Sequence, residues 1–252
     1  MQLEIDPRNP MSVQVGAELG PLIDDLLGDE GPRLTVVVGG DGYLLRTCHR
    51  LHFAGPFLGL NTGHLGFLHN AIDSLEAVAE RLRQGAWRAH TFPLLAAEVD
   101  LRDAGMHHGL ALNDVYLERA TGQAARLRVS VDGEPLVDGM VADGLIIASA
   151  LGSTAYSYSA GGSPAHPLLQ LLKVTPICPH LPRLTPFDLP VTASVHVEVL
   201  LEERRPVRAV IDGRALEAVS SVTVSTSDAT VDLAFFDGHD FTAHMMQKIV
   251  KP

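Results

Sequence analysis

Apolar residues change their spacing near residue 90, and that change divides the chain. Before it, helical and strand-like periods alternate: Ala17 to Leu27 has helical spacing, while Leu34 to Val38 and Pro56 to Leu60 are short apolar runs of buried-strand type. Leu75, Val78, Ala79 and Leu82 form one apolar stripe over a helix predicted from Ser74 to Gln84, with Asp73 and Glu76 as its capping box and Gly85 at its end. From about Thr91 the period falls to two, clearest in Ala125 to Val131, Val191 to Leu200 and Val222 to Leu233. Asp132-Gly133 and Asp212-Gly213 have the chemistry of tight hairpin turns. Thr175 to Pro190, with five prolines, is predicted to be loop. The pattern predicts an α/β domain over residues 1–90 and a mainly antiparallel β domain over 91–234, with the tail 235–252 returning to the first. With no flexible linker evident, a ligand is expected to bind between the two halves.

Composition narrows what such a chain does. At 252 residues, 46% hydrophobic and 19% charged, it can bury proper cores. A formal net charge of −11 argues against a broad nucleic-acid-binding surface. No apolar run approaches the roughly 20 residues of a membrane helix, and the start Met-Gln-Leu-Glu-Ile-Asp lacks the features of a signal peptide. Two cysteines, Cys48 and Cys178, supply no disulfide framework, so a reducing cytoplasm is expected. Cys48, His49 and His52 have spacings that converge on a helix face, but without a fourth ligand nearby no metal site is assigned.

Two glycine-flanked runs carry the chemistry. Gly39-Gly40-Asp41-Gly42 follows the first buried strand, and Gly152-Ser153-Thr154-Ala155-Tyr156 follows the apolar run Leu145 to Ala148. Each offers glycines and small residues where backbone N–H groups can turn toward an anion. Neither is a Walker loop or a dinucleotide-fold fingerprint. Asp41 stands out, because a carboxylate among phosphate-binding amides is repulsive unless it handles a proton or a metal. Arg46, one turn further, is a source of positive charge.

The Gly39-to-Gly42 turn resembles the signature shared by NAD kinases and lipid kinases. Asn61-Thr62-Gly63-His64-Leu65-Gly66-Phe67-Leu68 is similar to an NAD kinase segment specifically. So are Leu112-Asn113-Asp114, Asp143-Gly144-Leu145-Ile146, Gly152 to Gly162, and Thr175-Pro176-Ile177-Cys178-Pro179-His180, in the same order. The resemblance implies a Rossmann-like first domain, a β-sandwich second domain and a ligand site in the cleft between them. It implies transfer of the γ-phosphoryl group of ATP to the 2′-hydroxyl of the adenosine ribose of NAD, with Mg²⁺ or another divalent cation accompanying ATP.

Carried over by the same resemblance, Asp41 is the general base and Gly42 allows close backbone approach. Asn113 and Asp114 hold the ribose. Thr154, Ala155, Tyr156, Ser157, Tyr158 and Ser159 form the run around the adenine and ribose pocket, and Asp143 reaches the nicotinamide end of a ligand on a neighbouring subunit. A homodimer or homotetramer is implied. The chain departs from the family at Tyr43, where Thr is usual, at Asp114, where Glu is usual, at Ala150-Leu151, which replaces a Thr-Pro-Thr run, and at Val141, where a basic residue is frequent. Two other readings stand beside this one. A lipid kinase shares only the first glycine motif and would need a membrane-docking stretch, whereas a non-catalytic dinucleotide sensor would bind NAD without turnover.

Overall fold

The computed structural model describes residues 1–28, 33–63 and 66–250. In chain order, the elements begin with β1 (Gln2–Ile5), α1 (Pro10–Leu22), β2 (Thr35–Gly39), α2 (Asp41–Arg50), β3 (Pro56–Asn61), β4 (His69–Asn70) and α3 (Leu75–Arg83). There follow β5 (Trp87–Leu101), β6 (Gly105–Ala111), β7 (Asp114–Arg119), β8 (Ala125–Val131), β9 (Glu134–Ala142) and β10 (Gly144–Ser149). A 3-10 turn (Leu151–Thr154) and α4 (Tyr156–Ser159) lead to β11 (Leu171–Ile177), β12 (Phe187–Pro190), β13 (Val195–Val199), β14 (Val207–Ile211), β15 (Arg214–Leu216), β16 (Val219–Phe236) and α5 (Phe241–Val250). These elements form two compact units, residues 1–92 with 230–252, and residues 93–229, so both boundaries fall inside long strands.

The first unit is built on a parallel sheet. β1 pairs with β2, β2 with β3, and β3 with both β4 and the far end of β16. Every residue of β2 is buried, as a strand covered on both faces must be, which explains the unbroken apolar run. Leu19 and Ile23, from α1 and its end, pack with Val78, Ala79 and Leu82 of α3 over Val36, Val38, Leu58 and Leu60. The helix predicted from Ala17 begins earlier. Asn9 caps it by accepting from the Met11 amide, and Pro10 occupies the first turn, where its missing N–H costs nothing. The capping box expected at Asp73 does not form. Ser74 caps α3 through the Ala77 amide, and Asp73 instead meets Arg81 at 3.1 Å. Helix α2 stops at Arg50, and His52 beyond it has φ 51°, so the helical spacing expected to bring it to Cys48 and His49 is broken.

The second unit is a β-sandwich. One sheet contains β9, β8, β13 and the first half of β16, all antiparallel, together with the β5–β6 hairpin. The other runs β12-β11-β10-β7-β14-β15. Alternate residues of both sheets, among them Leu127, Val129, Val195, Val197, Val115, Leu117, Leu145 and Ile147, close one core. Both predicted turns are present: Asp132 and Gly133 have φ 52° and 82°, Asp212 and Gly213 φ 46° and 80°. Such pairs of positive φ make the twist of a two-residue turn match its strands. The predicted loop from Thr175 to Pro190 is corrected at both ends, which are strand. Pro176 lies past the last β11–β12 pair, Val174 with Phe187, and Pro190 sits on an edge strand, so the two prolines are compatible with the ladder.

Candidate active site

In the first unit the chemistry collects at the carboxyl ends of adjacent parallel strands, the usual ligand face of such a sheet. Asp6 follows β1, the Gly39-Gly40-Asp41 turn follows β2, and Asn61 ends β3. Two backbone bonds tie these ends together: the Asp6 amide donates to the Val38 carbonyl at 3.0 Å and the Thr62 amide to the Gly39 carbonyl at 3.1 Å. Gly40 is the N-cap of α2 and has no side chain with which to occupy the first-turn amides. Asp41, the first helical residue, has its carboxylate turned toward the 66–70 segment. Oδ2 accepts from the Phe67 amide at 2.8 Å; Oδ1 accepts from the Leu68 amide at 3.1 Å and lies 2.7 Å from His69 Nδ1. Burial pushes the Asp41 carboxyl up, but the bond and charge of His69 and the two amides outweigh it and hold it below its ordinary value. Asp41 is therefore ionised at neutral pH.

The surroundings of Asp41 are fixed by well-satisfied groups. Buried Asn70 donates to the carbonyls of Gly59 and Ala234 and accepts from the Phe236 amide, locking β4 between β3 and β16. Asn61 Oδ1 accepts from the Gly63 amide at 3.0 Å; His64 and Leu65 of the same motif lie outside the described residues. Arg46 is half-exposed, with its guanidinium 3.7 Å from Asp6 and 5.7 Å above the Tyr43 ring. Asp6 also accepts from the Arg8 amide at 3.1 Å. The Tyr43 hydroxyl donates to the Ile5 carbonyl at 2.8 Å, so this departure from the family pattern anchors α2 to the end of β1.

In the second unit, Asp212 organises a second cluster. Its carboxylate accepts from the amides of Leu112 (2.6 Å), Asn113 (2.9 Å) and Asp114 (3.2 Å), holding the entry to β7 in one conformation. From the other side, the Ser149 hydroxyl donates to the Leu112 carbonyl and accepts from the Gly152 amide. A Cβ at Gly152 would stand 1.9 Å from the Asn113 carbonyl oxygen, so only glycine lets the two segments touch. The result presents Asn113, whose Oδ1 is buried without a hydrogen-bond partner among the described residues, beside Asp114. Burial raises the Asp114 carboxyl, and the charge of Asp212 adds to it, bringing it up to about 7. At neutral pH Asp114 is divided between a carboxylic acid, which donates a hydrogen bond, and a carboxylate.

In the run after Gly152, the backbone amide of Tyr156 turns toward an anion, the Asp114 carboxylate. The amides of Gly152, Ser153 and Ala155 are used by Ser149 Oγ, the Ala150 carbonyl and the Gly152 carbonyl. Its side chains contribute as well: Tyr156 meets the Tyr116 ring edge-on at 4.8 Å, and Thr154 and Ala155 are half-buried, while Tyr158 and Ser159 are exposed. Ser157 points inward, 2.8 Å from the Thr175 hydroxyl. Asp143 meets Arg119 Nε at 2.8 Å, on the wall of a cavity of about 420 Å³ that Glu118, Tyr156 and Ile177 also line. Sequence reasoning read Asp212 only as a turn residue and passed over His69, Ser149 and Asp6. The Asp-Gly pair signalled Asp212's conformation, but nothing local signalled its three bonds.

Two domain families match successive parts of the chain: the ATP-NAD kinase N-terminal domain over residues 27–86 and the ATP-NAD kinase C-terminal domain over residues 112–234. A protein named NAD kinase from Rickettsia bellii is 37% identical over 213 residues, covering 83% of this chain and 82% of that protein. Another from Hyphomonas neptunium is 36% identical over 224 residues, covering 87% and 86%. Among solved structures, yeast NADH kinase complexed with NADH superposes with a TM-score of 0.82 at 21% identity, covering 99% of this chain and 87% of that one. An NAD kinase from Archaeoglobus fulgidus in complex with ATP gives 0.79 at 23% identity, with 99% of each chain covered. At these identities the structural likeness establishes the fold.

Proposed function

The chain belongs to the ATP-NAD kinase family, and from that premise we propose that it transfers the γ-phosphoryl group of ATP to the 2′-hydroxyl of the adenosine ribose of NAD, giving NADP. The observation that carries the reading is the state of Asp41: an ionised carboxylate, held at the N-terminus of α2 by two amides and an imidazole. A phosphoryl transfer needs few reactive groups beyond positioning and charge neutralisation. Asp41 accepts the proton of the attacking hydroxyl. The first-turn amides near Gly40 and Gly42 face phosphate oxygens, and Arg46 leaves Asp6 to add positive charge. Asn113 and Asp114 hold the adenosine ribose, with the orphan Asn113 Oδ1 finding its donor in a nucleotide hydroxyl or amino group. Thr154, Ala155 and Tyr156 line the adenine side, continued by Ser157, Tyr158 and Ser159, and Asp143 meets the nicotinamide end. The divalent cation enters with ATP as part of the donor substrate.

We further read the enzyme as cytoplasmic and as a homodimer or homotetramer. No helix among the described residues is long and apolar enough to cross a membrane, and both family domains that match are of the NAD kinase type, which leaves the lipid-kinase reading without support. The test is direct. Purified protein incubated with NAD, ATP and Mg²⁺ is expected to form NADP, followed by a coupled dehydrogenase, and Asp41→Asn is expected to lower kcat by roughly 10²–10⁴-fold. Folded protein that binds NAD but forms no NADP would move the sensor reading to first place.

A further inference from the structure

His69 is an expensive residue where it stands. Its side chain is wholly buried, and its Nε2 has no hydrogen-bond partner among the described residues. A buried unpaired nitrogen costs stability that an apolar side chain of similar size would not. The ring also requires a gap in the neighbouring strand: a Cβ at Gly59, its partner in the β3–β4 ladder, would come within 2.7 Å of the imidazole. What the ring gains among the described residues is a single polar contact, the 2.7 Å approach of Nδ1 to Asp41 Oδ1. An ionised carboxylate only accepts, so Nδ1 is the donor in that contact.

We propose that His69 is a positioning residue for the phosphoryl transfer, pinning Oδ1 of Asp41 so that Oδ2 alone receives the proton of the acceptor hydroxyl. Oδ1 already accepts twice, from Leu68 and His69, which fills its two lone pairs, whereas Oδ2 accepts once, from Phe67. The free lone pair of Oδ2 is thus the base, and its direction is set by the bonds on the other oxygen. His69 is also the titratable group that acts on Asp41. On α2 itself the cations turn elsewhere, Arg46 to Asp6 at 3.7 Å and Arg50 to Glu4 at 2.7 Å. Burial by itself pushes the Asp41 carboxyl up, and His69 leads the groups that bring it down.

The inference rests on the Asp41 reading above, and the experiment separates the two. His69→Leu fills the space without a donor; His69→Asn places an amide N–H near the position of Nδ1 and nothing at Nε2. The expected result for His69→Leu is a kcat lowered about 10- to 100-fold, the worth of a hydrogen bond to a charged group, with the KM for NAD little changed. Its acid limb in the pH profile of kcat/KM moves to higher pH, because burial is then opposed only by the two amides. His69→Asn is expected to recover to within about 3-fold of wild type. The idea is overturned if His69→Leu keeps its activity and its acid limb while Asp41→Asn loses activity, or if His69→Asn is as impaired as His69→Leu, which would mean only the ring's shape matters. Should His69→Leu not fold, His69→Gln replaces it, since its amide reaches the Nε2 position instead. Nitrogen-15 NMR of the ring gives a readout independent of turnover: Nδ1–H is expected in wild type, and an Nε2–H tautomer would refute the pinning even in a protein that makes no NADP.

Discussion

At the residue scale, two carboxylates in this protein are driven in opposite directions by their neighbours. Asp41 is half-buried among donors and stays ionised; Asp114 is buried beside another carboxylate and is raised to about 7. Different roles suit those states, a proton acceptor and a group able to donate to a ribose oxygen. The raised value has a consequence for stability. In the unfolded chain Asp114 ionises near 3.8, so between there and about 7 the folded form holds the proton more tightly. Its stabilising contribution is full below that window and is lost as pH rises through 7. Asp114→Asn, which removes the charge without changing the shape, is therefore expected to raise the melting temperature relative to wild type at pH 8 and to differ little at pH 4. The gap in unfolding free energy is expected to be roughly 4 kcal/mol, the shift from 3.8 to about 7 being about three pKa units at about 1.4 each. Melting curves of both proteins at the two pH values check the sign.

At the element scale, the β14–β15 turn and the 3-10 turn after β10 act as clamps on the segment entering β7. Asp212→Ala would leave the amides of Leu112, Asn113 and Asp114 without their acceptor. The expected cost is about 2–5 kcal/mol, each orphaned donor contributing part of its desolvation penalty. Denaturant unfolding measures it, and a loss below about 1 kcal/mol would mean the segment finds other acceptors. Gly152→Ala attacks the same segment through space. With its Cβ 1.9 Å from the Asn113 carbonyl, the backbone must move, so NAD affinity is expected to fall by tenfold or more by calorimetry.

At the scale of the whole molecule, the proposed function assigns a base to the parallel sheet of the first unit and a nucleotide-holding cluster to the sandwich of the second. The net charge of −11 makes general attraction of anionic nucleotides an implausible source of affinity, so recognition has to come from local donors. Exposed apolar side chains at Met106, Leu136 and Leu181, with exposures of 55%, 43% and 72%, are surface that association of copies would cover. Light scattering at micromolar concentration is expected to give a mass of two or four chains, and a monomer would contradict the proposed homo-oligomer.

The sequence by itself determined the elements and the family. Period and turn chemistry act over a few residues, so β2, β8 and the Asp132-Gly133 and Asp212-Gly213 turns were legible without any contact being known. Ends and caps were less so, because Asn9 and Ser74 prevail over their neighbours only through backbone bonds that the string of residues does not display. The site's internal wiring belongs to the tertiary structure. His69 meets Asp41 across 28 residues, and Asp212 reaches Leu112 across 100. Those pairings are set by sheet register and by the space left at Gly59 and Gly152, quantities that arise only when distant strands are packed together. A local pattern encodes what a backbone prefers, while a carboxylate's partners, and hence its charge, depend on which distant donors the fold brings to it.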